Sequence, residues 1–269
     1  MKKFVVYLVL IVGGVIFFYP FLWMIMATFR SEIDIGYPGL FVKSLTLHNY
    51  EIVFKRIPIL RALFNSLFVS LSVTASVIFF GSVVGYALSR LKFKIKGLIL
   101  GVILFTMVIP FQITLIPMYI LMVKFGWVDT YLALIVPGMI SSFGILLFRQ
   151  FFLDIPQDLI DAARIDGCND FQILFKIFLP LSKPVMITVG IFSFMATWND
   201  VLWPMLVIRT RELMTMPQLV TLFSIGGEAE GQLGPQLAAT TLLALPIVVA
   251  YAFFQRYFIE SMATTGLKG

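Results

Sequence analysis

Six stretches of the chain carry almost no charge and run for about the length of a membrane crossing. They cover residues 4–29, 62–89, 97–123, 130–148, 184–199 (extended through 201–208) and 231–255. A helix needs roughly 20 consecutive apolar residues to cross the hydrocarbon layer. Each run therefore predicts one transmembrane helix, and the six together make an all-α, polytopic membrane domain of nearly the whole chain. Between the fourth and fifth runs the pattern changes to short polar and apolar alternations at helical spacing. Pro156 suits a first helical turn, with Asp158 and Asp161 beside the positive pole of a short helix. Leu159, Ile160 and Ala163 recur on one predicted apolar face, and the small Ala162 and Ala163 allow close approach of another surface. Gly167 is placed as a left-handed stop. Asn169 or Asp170 then caps a second helix over 171–178, which Pro180 is expected to end.

Composition agrees with a lipid-embedded chain. Sixty per cent of the residues are apolar and the mean hydropathy is +0.99, against ~45–50% apolar in soluble domains. The first run follows Lys2-Lys3, but it exceeds the 7–15 apolar residues of a signal peptide and has no small-x-small cleavage site. It reads as a retained anchor. The single Cys168 cannot form an internal disulfide. The net charge of +6 is no nucleic-acid footprint here; its distribution reports orientation. Arg90, Lys92, Lys94 and Lys96 occupy one short loop without an anion, and such loops stay cytoplasmic. Six spans then put both termini and the polar hairpin on that side. Lys2, Lys3, Arg149, Arg256 and Lys268 agree, while Lys55, Arg56 and Arg61 fall in a long outer loop that weighs less.

Prolines punctuate several spans: Pro110 and Pro117 beside Gln112, Pro137 with Gly138, Pro204 and Pro246. Each frees a backbone carbonyl that neighbouring helices or a wet cavity must satisfy. They serve either as packing kinks or, over 110–117, as a bend along a pathway. Ser70, Ser72, Ala75, Ser76, Gly81 and Gly85 predict close helix contacts in the second run. Two outer segments are long, 30–61 with the surface residue His48, and 209–234. The latter carries an interfacial helix pattern from Pro217 to Phe223 and a glycine-rich stretch, 226–231. No internal repeat is evident.

The spacing Asp161-Ala162-Ala163-x-x-Asp166-Gly167, then Phe171, then Leu179-Pro180-Leu181-x-x-Pro184 resembles the cytoplasmic coupling loop of ABC importer permeases. Trp198-Asn199-Asp200-Val201-Leu202-Trp203-Pro204 is similar to the fifth-helix sequence of the carbohydrate type. Leu245-Pro246, Gln255-Arg256-Tyr257-Phe258 and Thr265-Gly266-Leu267-Lys268-Gly269 are similar to the C-termini of that type. The resemblance covers the whole chain and is specifically to the subunit class of the smaller maltose-type permease. Asp161 stands where that family usually has Glu, and Cys168 where it usually has Ala.

That resemblance implies a type I importer permease fold, one transmembrane domain over 1–269 with a coupling loop at 151–183. Its partners would be two ATP-binding cassette ATPase subunits, a second permease of a different chain, an extracytoplasmic solute-binding protein and membrane lipid, with no nucleic acid. Asp161, Ala162, Ala163, Asp166, Gly167, Phe171 and Pro180 would carry ATPase coupling. The loop holds five aspartates against Arg164, Lys176 and Lys183, which favours a basic partner surface. Trp198, Asn199 and Asp200 are the pathway candidates, either contacting a hydroxylated solute or tying helix ends together. No G-x-x-x-x-G-K-[ST] occurs, so ATP chemistry belongs to a partner. The chain is expected to be no enzyme and to hold no metal or cofactor. The expected location is a bacterial or archaeal cytoplasmic membrane, and the expected cargo is a sugar or oligosaccharide. A glycerol-phosphate-like solute is the alternative cargo. An ion-coupled carrier is the rival mechanism, but such carriers place ionisable groups near the bilayer midplane, where these spans have almost none.

Overall fold

The computed structural model describes residues 2–36, 45–229 and 231–266, and among them helices and turns are the only regular structure. Four helical stretches are long and apolar enough to cross a membrane: Lys3–Ala27, Ile59–Arg90, Tyr131–Leu153 and Leu233–Ala252. Two bent helix pairs raise that number to as many as six.

Helix α1 (Lys2–Ala27) buries none of its apolar stretch within this chain. Beyond α2 (Glu32–Ile35), α3 (His48–Arg56) returns against the end of α1. There the Asn49 amide donates to the carbonyls of Thr28 at 2.9 Å and Arg30 at 2.8 Å. The central element is α4 (Ile59–Arg90), whose 32 residues make roughly 48 Å of helix at 1.5 Å per residue. Its buried positions Ala62, Ser66, Val69, Val73, Val77, Gly81 and Gly85 recur every three or four residues, the stripe that one helix face needs for packing.

The next run does not form one helix, contrary to expectation. Helix α5 (Lys96–Val108) and α6 (Phe111–Phe125) meet at 104°. Ile109 is extended (φ −77, ψ 117) and so is Pro110 (φ −61, ψ 132). A residue before proline is forced out of the helical region, and two extended residues in series redirect the chain. Pro117 is carried inside α6. The fourth run is also interrupted. Helix α7 (Tyr131–Ile135) passes into a 3-10 turn, Val136–Gly138, around Pro137, and α8 (Ser142–Leu153) starts afresh. The Ser141 hydroxyl caps it by accepting the Gly144 amide at 3.2 Å.

After the polar segment containing α9 (Gln157–Ile165), α10 (Asp170–Ile173), a π turn (Leu174–Phe178) and α11 (Leu179–Leu181), the chain bends by 81° into α12 (Lys183–Trp198). The fifth span was expected to continue through 201–208. It stops at Trp198, and a separate α13 (Leu202–Val207) follows. Polar side chains satisfy that break: Asn199 donates to the Met195 carbonyl at 2.9 Å and Asp200 accepts the Trp203 amide at 3.3 Å. A 3-10 turn, Arg211–Leu213, leads to α14 (Met216–Ile225) and then α15 (Leu233–Gly266), which runs past its expected end at 255. Residues 37–44 of the first long loop, Glu230 of the glycine-rich stretch, and Leu267, Lys268 and Gly269 lie outside the described residues.

Two cores result. The larger joins α4, α8 and α12 with the base of the polar segment, through residues such as Val77, Phe148, Phe178 and Val189. The smaller joins α3, α14 and α15 through Val53, Leu219, Phe223 and Ala238. Helix α14 packs its apolar side chains against α4 and α15. At this end the connection 208–216 is held from several sides. Asn65 donates to the Glu212 and Met214 carbonyls (2.8 and 2.9 Å), and Gln218 to that of Ile208 (3.0 Å). Asp129, at φ +62, accepts the amides of Arg209 and Thr210 and the Thr210 hydroxyl. That hydroxyl first, and the amides after it, hold the Asp129 carboxyl below the usual carboxylate range against the upward push of burial.

Among the small residues expected at helix contacts, Gly81 and Gly85 face α8 while Ala75 is exposed. A methyl group on Gly85 would sit 2.8 Å from the Phe148 Cβ and 3.0 Å from the Arg149 amide nitrogen. Gly85→Ala should therefore separate α4 from α8 and destabilise the purified protein by about 1–3 kcal/mol, read as a lower melting temperature in detergent. Gly101→Ala, inside α5 and meeting nothing within 4 Å, should instead gain up to about 1 kcal/mol from helix propensity.

Candidate functional site

The polar segment folds as a hairpin of helices standing on the larger core. Pro156 caps α9 in an extended conformation (φ −57, ψ 140), so the helix begins one residue later than expected. Ile160 and Ala163 face inward and are buried. Leu159, expected beside them, is exposed, because it lies 100° round the helix from Ile160. Asp161 and Ala162 are exposed on the outer face, and Gln157 donates to Asp161 at 3.0 Å.

Gly167 ends α9 as the spacing predicts. Its φ is +80, a region that a side chain makes costly. The Gly167 amide donates to the Arg164 carbonyl (3.0 Å) and the Cys168 amide to that of Ala163 (2.9 Å), the paired bonds of a Schellman stop. Asn169 caps α10 in a reciprocal box: its side chain accepts the Gln172 amide, and Gln172 accepts the Asn169 amide, both at 2.9 Å. The Asn169-x-x-Gln172 spacing carries that signal in the sequence. Pro180 does not end the second arm, which continues to Leu181. The π turn before it widens the coil where the proline ring would otherwise meet the Lys176 carbonyl. Pro180 itself is exposed.

Two large apolar side chains flank the Gly167 turn in the open, Ile165 at 87% exposure and Phe171 at 69%. Asp166 and Gly167 between them are exposed too. Together they make an exposed apolar tip on a polar segment. Sequence reasoning missed Ile165, because its helical spacing does not distinguish a buried from a displayed apolar residue. Behind the tip Asp170 accepts from the Tyr86 hydroxyl at 3.1 Å and pairs with Arg164 at 3.4 Å. The sequence holds no signal for the Tyr86 contact, which spans 84 residues.

The pathway candidates lie at the other end of α12, 16 residues or roughly 24 Å of helix away. The structure gives the three different surroundings. Trp198 is fully buried and stacks on Phe194 with ring centroids 5.6 Å apart, so within this chain its aromatic face is not offered to a cavity. Asp200 is half-buried and occupied by the Trp203 amide. Asn199 is the exposed member. Trp203, read in the sequence only as part of the fifth-helix resemblance, is buried and donates its indole N–H to the Ala133 carbonyl at 2.8 Å, at the interrupted fourth run.

Comparison with known proteins places this geometry. Residues 77–264 match the family of binding-protein-dependent transport system inner membrane components. The arabinooligosaccharides transport system permease protein AraQ of Halalkalibacterium halodurans is 36% identical over 93% of this chain and 91% of that protein. The protein of the same name in Bacillus subtilis is 31% identical over 95% and 92%. The lactose transport system permease protein LacG of Rhizobium radiobacter is 28% identical over 95% and 93%. In three dimensions the chain is similar to one in the crystal structure of a bacterial ABC transporter involved in the import of the acidic polysaccharide alginate. The TM-score is 0.80 over 96% of each chain, at 22% identity, a likeness of fold. The chain belongs to the family of inner membrane components of binding-protein-dependent transport systems, and its fold is that of type I ABC importer permeases.

The Schellman stop gives the site its first test. A valine at the left-handed Gly167 should cost about 1–2 kcal/mol, so amide exchange across 163–169 should accelerate about 5- to 30-fold in Gly167→Val. Gly167→Asn, which tolerates that conformation, should exchange close to the unsubstituted rate. Hydrogen–deuterium exchange read by mass spectrometry makes the comparison.

Proposed function

We propose that this member of the family is the membrane-spanning permease subunit of an ATP-binding-cassette importer for a sugar or oligosaccharide. The observation that carries the reading is the hairpin: a capped, rigidly based helix that displays Ile165 and Phe171 at its tip. ATPase subunits would dock there, with Asp161, Ala162, Ala163, Asp166, Gly167 and Phe171 at the contact and Pro180 in the supporting arm. The names of the relatives, which concern arabinooligosaccharides and lactose, support a carbohydrate cargo.

Counting each bent pair as one span gives six spans over a single domain, 1–269. The cations at 90–96 then put the hairpin and both termini on the cytoplasmic side. Two ATPases, a second permease and an extracytoplasmic binding protein complete the machine in this reading. ATP-driven closure of the ATPases would displace the hairpin, and the displacement would rock the bundle between inward-facing and outward-facing states. Moving such an equilibrium from 1:99 to 99:1 takes roughly 5.5 kcal/mol, within the reach of ATP binding and hydrolysis. Asn199, exposed at the end of α12 remote from the hairpin, is the pathway candidate that the geometry supports best. Trp198 and Asp200 would position it.

Reconstituted in vesicles with its partners, the chain should support uptake that requires ATP and the loaded binding protein. Uptake driven by an ion gradient alone would overturn the reading. In the same vesicles Asp161→Asn should lower uptake about ten-fold through loss of a charged contact, and Asp161→Glu should leave it nearly unchanged. Equal activity of the Asn variant would show that the charge is not used.

For the pathway, Asn199→Cys in a Cys168→Ser background should react with a membrane-impermeant thiol reagent. Labelling should rise when an ATP analogue traps the outward-facing state. No labelling in any nucleotide state would remove Asn199 from the route.

A further inference from the structure

Arg90 is the last residue of α4, and its guanidinium reaches away from its own helix. Its Nε donates to the Phe152 carbonyl at 3.0 Å. One terminal nitrogen donates to the carbonyls of Phe152 and Ile155, the other to the Gln157 side chain at 3.2 Å. The carbon between them lies 5.6 Å from the centroid of the Phe178 ring. One side chain thus grips the end of α8, the turn into α9, the first residue of α9 and the π turn of the second arm. Tyr86, one helical turn earlier on the same face, holds the far arm. Its hydroxyl donates to Asp170, and its ring stands edge-on to Phe178 at 5.1 Å and Phe152 at 6.4 Å.

The remaining groups at this corner are arranged so that Arg90 is free for that task. The carbonyls of Ser89 and Leu91, at the end of α4, are taken by Lys96 at 3.3 Å each. Gly85 brings the backbone of α8 against α4 just before the grip begins. The Phe152 carbonyl lies at the end of α8, where it also accepts the Ile155 amide at 3.4 Å and where a cation complements the helix dipole. A planar guanidinium can donate along several directions at once and stack on a ring, which an ammonium cannot reproduce.

We infer that Arg90 is a positioning residue that locks α4 to the hairpin, so that the long central helix and the docking helix move as one body. The inference rests on the functional reading above. Without the lock, the short connection 154–156 between α8 and α9 would act as a hinge and absorb the displacement delivered at the hairpin tip. Arg90 lies away from that exposed tip, so loss of the lock should leave docking intact and weaken transmission.

The experiment compares Arg90→Ala and Arg90→Lys with the unsubstituted chain in vesicles carrying the whole importer, reading solute moved per ATP hydrolysed. A merely structural role would lower both quantities with the amount of assembled complex and leave their ratio unmoved. We expect the ratio to fall about five-fold in Arg90→Ala. Arg90→Lys, which keeps the charge and the orientation signal, should resemble Arg90→Ala because the fork is what is used. An unchanged ratio in Arg90→Ala overturns the inference. A second arm needs no partner: spin labels at Ser89 and Asp158 in a Cys168→Ser background of the purified permease. Their distance distribution should be narrow with Arg90 and broad with Arg90→Ala; equal widths also overturn the inference. If uptake by the unsubstituted importer proves independent of ATP, the functional reading fails and the spin-label widths alone decide whether the lock exists.

Discussion

Lipid offers no hydrogen bonds, so every place where a helix stops inside or beside the hydrocarbon leaves backbone groups that the protein must satisfy itself. This chain stops its helices often, and it stations polar side chains at several of those stops. Trp203 serves the interrupted fourth run through the Ala133 carbonyl. Asn199 and Asp200 serve the end of α12 and the start of α13. Lys96 serves the end of α4, and Arg90 the end of α8. The polar residues of a largely apolar chain therefore mark its joints.

The two ends of the bundle use that device differently. At the end away from the hairpin, Asn65, Asp129 and Gln218 approach one connection from three elements. A segment with almost no regular structure becomes a fixed part of the surface. At the hairpin end, Tyr86 and Arg90 reach from a single helix to both arms of a protruding motif. The first arrangement braces a loop against several elements. The second makes a rigid extension of α4, suited to receive a displacement and pass it along a helix of roughly 48 Å.

Much apolar surface remains uncovered. Helix α5 buries no residue within this chain, and the apolar stretch of α1 is likewise exposed. In water such faces would drive association, but in a bilayer the acyl chains satisfy them without a partner. Exposure alone thus distinguishes nothing there. Ile165 and Phe171 differ because they stand on the polar hairpin, flanked by Asp166 and Asn169, where the bilayer is not an available cover under the proposed topology.

The sequence by itself determined the features that depend on a few neighbouring residues. Six apolar runs, a polar hairpin of two short helices, the left-handed Gly167 and a cap at Asn169 or Asp170 follow from transfer into lipid and from backbone sterics, which act locally. Such rules also mark where proline stands, but not what it does. Pro110 turns the chain by 104°, whereas Pro180 sits in a second arm that continues past it behind a π turn. The difference lies in whether surrounding helices and turns accommodate the freed backbone groups. Leu159 and Ile160 are equally apolar, yet only packing made one exposed and the other buried. Trp198 reads either as a face for solute or as a tie between helix ends until its burial against Phe194 is seen. Arg90 reads as one more cytoplasmic charge; only tertiary structure brought it to carbonyls 62 and 65 residues away. Net charge is a property of composition, while the use of a planar fork depends on which distant acceptors the fold sets around it.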